Sequence, residues 1–452
     1  MSTTPTRPAG AAGTGAGFTA TRSTAVVTAL CWIAVLLDGF DLVVLGTTIP
    51  SMLEDPAWDL TGAQATQITT VGLVGMTIGA LVIGFLTDKL GRRRVLIAAV
   101  FLFSVFTLLL AFTTDVTWFS LWRFLAGAGL GGALPTAISL VTEFRSGRKA
   151  GSASTTLMTG YHVGAVLTAL LGMFLIDAAG WHAMFVAGAV PGLILAPVLY
   201  FLLPESPAYL RIKGRVEEAE SIEQAYGLQV DTEMDTLQEQ KEGENTEGIR
   251  ALLQPTFRVN TVAIWATSFM GLLLVYGLNT WLPQIMREAD YDLGNSLAFL
   301  MVLNVGAVVG LFIAGRVADI HSPRRTALIW FLCSAVFLAL LAIRLPLVGL
   351  YVVVFLTGVF VFSSQVLIYA FVGENHPSSA RATAMGFSAG IGRLGAISGP
   401  LLGGILVTAG IAYPWGFFAF AVVGVLGFAI FSFSRTLRPS TIAAVEGETS
   451  PS

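Results

Sequence analysis

The sequence predicts an all-α membrane protein of twelve transmembrane helices arranged as two six-helix halves. Three observations carry that prediction. Hydrophobic residues make up 55% of the chain and charged residues only 12%, roughly half the charged share of an ordinary soluble domain. Apolar runs of about 20 residues, the length that crosses ~30 Å of hydrocarbon as a helix, recur along nearly the whole chain. A charged loop sequence also occurs twice, as GFLTDKLGRRR from Gly84 and GRVADIHSPRR from Gly315. Gly84/Gly315, Asp88/Asp319, Arg93/Arg324 and Arg94/Arg325 therefore share an offset of 231 residues, as do Glu143 and Glu374.

Taken in order, the spans are expected at 24–50, 64–87, 93–113, 115–140, 151–176, 181–203, 256–286, 293–318, 325–344, 347–373, 380–408 and 413–436. Their interiors are rich in Gly, which lets helix backbones approach closely in lipid. Residues 1–22 are mostly Thr, Ala, Gly and Pro without periodicity and read as a disordered tail, not a signal peptide. The first half is expected over 23–203, a polar linker over 204–255, the second half over 256–436 and a second tail over 437–452. Residues 205–250 hold twelve Asp or Glu and five Lys or Arg, and VEEAESIEQAYGL within them suggests one or two surface helices.

Lys and Arg accumulate in short loops that stay cytoplasmic. Of the 25, loops and adjoining span ends on the tail side hold 21, the opposite loops hold Arg287 and Arg344, and Arg123 and Arg393 lie inside spans. Both termini are thus expected in the cytoplasm of a multi-pass plasma-membrane protein. Cys31 and Cys333 fall within spans, so neither a structural disulfide nor a metal site is expected. Nothing in the pattern calls for a cofactor, a nucleic-acid partner or catalytic chemistry, and a monomer is expected.

The first span contains LLDGFDLVVLG, with Asp38 and Asp41 in a stretch otherwise suited to lipid. At i and i+3 they share a helix face with Cβ atoms roughly 5–6 Å apart. An ionised carboxylate near mid-bilayer costs a few kcal/mol even on the mildest insertion scale. Desolvation and mutual repulsion therefore both favour a proton held on the pair. The plainer alternative is that a partner such as Arg123 neutralises one aspartate and only fixes packing. At the end of the second span, Asp88 with Arg92, Arg93 and Arg94 suits a latch, because a carboxylate there can accept from the next helix's first amides and pair with arginines. Glu143 with Arg145 or Arg148, and Glu374 with Arg381, look like members of the same device, as do Asp319, Arg324 and Arg325 in the second copy. The plainer alternative is that these arginines only set topology.

GFLTDKLGRRR resembles the loop signature of the major facilitator superfamily, RFLAGAGLGG (123–132) its fourth-span motif and PESPAYL (204–210) the motif closing its first half. Lys89 departs from the usual Arg, and Ser322 and Pro323 stand in the second copy where Gly and Arg are usual, so that copy is expected to hold its loop less tightly. DGFD, YGLNTWLPQIM (276–286) and GRLGAISGP (392–400) resemble the aromatic acid:proton symporters within that superfamily. GYHVGAVLTALLG in the fifth span lacks the Gly-Pro pair of drug/proton antiporters. The resemblance implies uptake of a benzoate- or hydroxybenzoate-like anion with protons, on a twelve-helix superfamily fold. A carrier of non-aromatic acids, or a transporter-like exporter or sensor, is the alternative.

An aromatic anion needs a cation or strong donors beside a flat apolar slot. Arg393 is the first candidate for its carboxylate, with an ion pair to Asp38 or Asp41 as the rival role. Tyr276, Asn279 and Trp281 in the seventh span, and Gln365 with Tyr369 in the tenth, supply rings and donors. Each alone is more often an interfacial or packing residue than a ligand contact. Asp41 and Tyr161 are further substrate candidates. Asp38, Asp41, Arg123 and His162 are the candidates for proton coupling.

Overall fold

The computed structural model describes residues 23–144, 150–228, 252, 254–376 and 378–437. Among them, twelve segments are long and apolar enough to cross a membrane. The first six comprise α1 (Thr24–Glu54), α2 (Gly62–Leu90), α3 (Arg92–Leu110), α4 (Val116–Leu130) continued by α5 (Ala133–Phe144), α6 (Ala150–Ala179) and α7 (His182–Leu202). Two short helices follow, α8 (Pro207–Ile212) and α9 (Val216–Tyr226). The last six are α10 (Arg258–Glu288), α11 (Leu293–His321), α12 (Pro323–Leu341), α13 (Leu347–Asn375), α14 (Ser378–Thr408) and α15 (Ala412–Ser432). Helices are the expected solution, because hydrocarbon offers no partner for a backbone amide and a helix satisfies all of its own.

Helix ends follow local chemistry. Thr61 and Gln64 form a reciprocal capping box at the start of α2, and Asp115 and Asp292 cap α4 and α11 through their side chains. The fourth span is broken between α4 and α5 at Gly131 and Gly132, two consecutive residues of low helix propensity. Gly131 faces the backbone of Met76 in α2, and Gly132 faces Ile83.

The two halves repeat one pairing scheme. In the first, α1 packs on α6, α2 on α4 and α3 on α7; in the second, α10 packs on α14, α11 on α13 and α12 on α15. Across the halves α1 meets α10, α2 meets α14 and α6 meets α11. The side carrying α8 and α9 is the linker side, and the opposite side is the outer side. On the outer side Glu54 at the end of α1 forms an ion pair with Arg287 near the end of α10. Nearby, Gly404 of α14 lies so close to Thr66 of α2 that a Cβ would collide with it. Asp55, just past α1, accepts from the Trp181 indole at 2.9 Å and from the Ala57 amide at 3.0 Å, and these bonds hold its carboxyl below the usual carboxylate range.

The repeated loop adopts one shape in both copies. Gly91 has φ 95° and ψ 154°, and Ser322 has φ 88° and ψ 142°. Their amides donate to Thr87 at 3.1 Å and to Ala318 at 2.9 Å. The second copy is therefore turned as the first is, with the strain of a left-handed backbone borne by a residue that has a Cβ. That conformation costs a non-glycine residue about 1–3 kcal/mol. Ser322→Gly should raise stability by about 1 kcal/mol, read as a higher thermal-unfolding midpoint of the purified protein. A lower midpoint would show that the serine side chain compensates for the strain. The reverse change, Gly91→Ser, should lower the midpoint, because a Cβ there runs into Glu205 and Tyr209.

Candidate functional site

Two close helix crossings build the centre of the molecule. Gly39, between the two aspartates, lies against the backbone of Tyr161, and Gly164 lies against the Leu36 carbonyl, so α1 and α6 touch backbone to backbone. Thr168 in α6 then donates to the Phe40 carbonyl at 3.1 Å. The glycines of GRLGAISGP do the same for α14 and α10, with Gly395 against Phe269 and Gly399 against Leu273 and Gly277. The first crossing sets Tyr161 beside Asp38, and the second sets Arg393 beside Tyr276.

These four side chains converge between the halves. Asp38 lies within electrostatic range of Arg393, and the phenols of Tyr161 and Tyr276 approach each other, Asp38 and Arg393. Tyr369 of α13 joins them on the Arg393 side. Asp38 is fully buried, and neither carboxylate oxygen has a hydrogen-bond partner among the described residues. Arg393 forms no ion pair within 4 Å among them either. A buried acid and a half-buried guanidinium thus share a site from opposite halves without closing on each other.

Asp41 is held quite differently. Its Oδ2 takes Arg123 Nη1 at 2.6 Å, its Oδ1 takes the Thr107 hydroxyl at 3.0 Å, and its backbone carbonyl takes Arg123 Nη2 at 3.0 Å. Gly72 of α2 makes room for the arginine stem. This network ties α1 to α3 and α4 inside one half, so the plainer alternative weighed from the sequence describes Asp41 and leaves Asp38 free.

The remaining candidates divide. His162 is buried, its ring edge-on to Tyr161 at 5.3 Å and to Phe362 of α13 at 6.1 Å, with Nδ1 unpartnered among the described residues. Gln365 is buried against Gly271, close to Tyr369. Asn279 accepts from the Asn304 side chain at 3.1 Å, joining α10 to α11. Trp281 is fully buried and donates its indole N–H to the Pro400 carbonyl at 2.8 Å, which makes it a packing residue between α10 and α14 outside the central cluster.

A model of the Major Facilitator Superfamily matches residues 31–311 and 299–451. The chain belongs to the Major Facilitator Superfamily. A benzoate transport protein of Acinetobacter baylyi is 31% identical over 93% of this chain and 92% of its own length. A gentisate transporter of Corynebacterium glutamicum is 31% identical over 87% and 84%. Such relatives place the chain in the superfamily's branch of aromatic-acid transporters, a family of carriers and not of enzymes. The inward-open xylose transporter XylE of E. coli shares the fold, with TM-score 0.73 and 18% identity over 94% of this chain and 99% of that one.

The superfamily's loop signature is clamped here by residues that the loop itself does not contain. Glu205 of PESPAYL accepts the Arg93 amide at 2.9 Å, at the start of α3, and the Ser206 amide at 3.0 Å. The side chain of Asp88, to which this role falls in the sequence reading, lies outside the described residues, as do Arg145 and Arg148. Arg92 pairs with Glu143, which also accepts from Ser206. Arg93 donates to the Tyr200 carbonyl near the end of α7. Its counterpart Arg324 donates to the carbonyls of Ser432, the last residue of α15, at 2.8 Å and of Ser434 just past it at 2.8 Å. Arg94 lies apart, in a groove between α2, α3 and α4. Among the described residues Glu374 and Arg381 form no ion pair, Arg381 donating to the His376 carbonyl at 3.4 Å, and Asp319 and Arg325 form none.

Thr107, Asn304, Glu205 and the Glu54–Arg287 pair escape single-sequence reading, because each acts through a partner distant in the chain. Only PESPAYL carried a signal, as a motif without an assigned role for its acid. Removing one member of a buried ion pair leaves the other uncompensated, at about 3–5 kcal/mol. Arg123→Gln should therefore destabilise the protein by about that amount, and Asp41→Asn added to it should restore a substantial part. Thermal unfolding of the two single variants and the double variant forms the cycle that checks this, and strictly additive losses would argue against a coupled pair.

Proposed function

We propose that this carrier brings an aromatic carboxylate of the benzoate or hydroxybenzoate type into the cell together with protons. The reading places it in the plasma membrane as a monomer, with both termini and the linker in the cytoplasm and with the half boundaries expected from the sequence. The observation that carries it is the pair of buried Asp38 and half-buried Arg393, drawn from opposite halves and not bonded to each other. A guanidinium without a carboxylate partner is a bidentate seat for an anion. The phenols of Tyr161, Tyr276 and Tyr369 form the aromatic and hydrogen-bonding surround, and Gln365 adds an amide. The names of the relatives support the aromatic class. Asp38 carries the proton: an anion arriving at Arg393 offsets the positive charge that Asp38 faces, and protonation of Asp38 restores neutrality. Asp41 and Arg123 hold α1 in register with α3 and α4, and their pair is the element whose rearrangement links protonation to movement of the first half. His162, between Tyr161 and Phe362, serves as a relay between the site and the half-interface.

Uptake measured in cells against a panel of labelled aromatic acids tests the substrate class, and transport of aliphatic acids alone would overturn it. Asp38→Asn should abolish accumulation while the protein stays in the membrane, because an amide keeps the size but cannot carry the proton. Uptake by wild type that is unchanged when the proton gradient is collapsed would sink symport. Arg393→Lys should weaken binding of a benzoate-like ligand to the purified protein about tenfold or more, since a charge-assisted hydrogen bond is worth roughly 1.5–3 kcal/mol and lysine offers no planar fork. Near wild-type affinity of that variant would reassign Arg393 from the substrate to the neutralisation of Asp38.

A further inference from the structure

A second recess lies on the lipid-facing side of the first half. It encloses about 580 Å³ between α2, α3 and α4, and its walls include Val82, Leu86, Ala98, Leu102, Phe106 and Leu125. Among the described residues Arg94 is the one charged residue lining it. Small residues make the furrow: Gly79 lies against the Ala128 backbone and Gly129 against Phe103, so α2 and α3 close on α4 without side chains to fill the space between them.

Length and charge point to one kind of occupant. The recess runs from Ile78 to Leu90 along α2 and from Arg94 to Phe106 along α3. Twelve residues of helix span about 18 Å at 1.5 Å each, close to the ~15 Å of one hydrocarbon leaflet. Arg94 sits at the linker-side end, where a headgroup would lie, and its side chain is exposed. Its neighbours are committed elsewhere, Arg92 to Glu143 and Arg93 to the Tyr200 carbonyl. Among the described residues no carboxylate pairs with Arg94. Basic pockets between membrane helices on the positively charged side suit anionic headgroups. We infer that this recess seats one acyl chain of an anionic phospholipid, with its phosphate on the Arg94 guanidinium.

The seat adjoins the loop that clamps α2 to α3, so its occupant lies against the segment where the first half is pinned to Glu205. Native mass spectrometry of the full chain, purified in micelles holding equal amounts of phosphatidylglycerol and phosphatidylcholine, tests the proposal. Wild type should retain about fivefold more of the anionic lipid, the preference expected of one arginine at a membrane surface. Arg94→Gln should equalise the two lipids, and Arg94→Lys, which keeps the charge should the glutamine variant fail to fold, should preserve most of the preference. Ala98→Phe, which fills the furrow and leaves Arg94 in place, should lower retention of both lipids. Equal retention by wild type, or a preference that survives Arg94→Gln, overturns the proposal. A preference lost in Arg94→Gln with retention unchanged in Ala98→Phe also overturns it, because the charge would then act without the recess.

Discussion

A charge in hydrocarbon has to be neutralised, and the way this protein meets that constraint orders the rest of its structure. Asp38, Asp41, Arg123 and Arg393 stand in the interiors of spans. Asp41 and Arg123 satisfy each other through a 2.6 Å bond, backed by Thr107 and by the Asp41 carbonyl, and they belong to one half. Asp38 and Arg393 face each other across the halves and are not bonded. The first pair is complete without a ligand, whereas in the proposed cycle the second gains its partners when an anion and a proton arrive. Glycines at the α1–α6 and α10–α14 crossings put both members of the second pair where they are, since a side chain at Gly39 or Gly395 would push the crossing apart.

The fold was legible because a bilayer leaves few options. Segment length, hydropathy and the need to satisfy every amide internally suffice for twelve helices, and the observed ends lie within a few residues of those expected. The exception, the break at Gly131 and Gly132, was written in the sequence as two glycines but was masked by the apolarity of the span around them. The site was legible only in its residue types. Helical periodicity places Asp38 and Asp41 on one face, yet it cannot say that Arg123 and Thr107, 82 and 66 residues away, claim Asp41 and spare Asp38. Trp281 shows the converse: a tryptophan in a motif reads as a possible ligand until its N–H is seen to be spent on Pro400.

The repeat is more faithful in architecture than in chemistry. The same three helix pairings occur in both halves, and Arg93 and Arg324 reach equivalent helix ends. The clamps differ: Gly91 is closed over by Glu205 and Tyr209, while Ser322 takes the same turn at a backbone cost. The polar centre differs more. At the offset of 231 residues Asp38 corresponds to Phe269 and Asp41 to Leu272, whereas Arg393 corresponds to His162. Of the unbonded central pair, one half keeps the acid, Asp38, and the other keeps the arginine, Arg393.

That segregation bears on the proposed coupling. With Asp38 ionised and Arg393 charged, the empty site is neutral; with a monoanion on Arg393 and a proton on Asp38 it is neutral again. An anion without a proton leaves one net negative charge in the site, and a proton without an anion leaves one net positive charge. Either imbalance is costly where solvent screening is weak, as it is around the buried Asp38. In the proposed cycle, rocking the halves past each other carries the site through its most enclosed arrangement, so the unbalanced forms meet the highest barrier and the two neutral forms the lowest. On this reading one proton crosses with each aromatic monoanion because Asp38 and Arg393 belong to different halves and are left unbonded. A direct ion pair between them would stabilise the empty site and remove the competition that ties the proton to the anion.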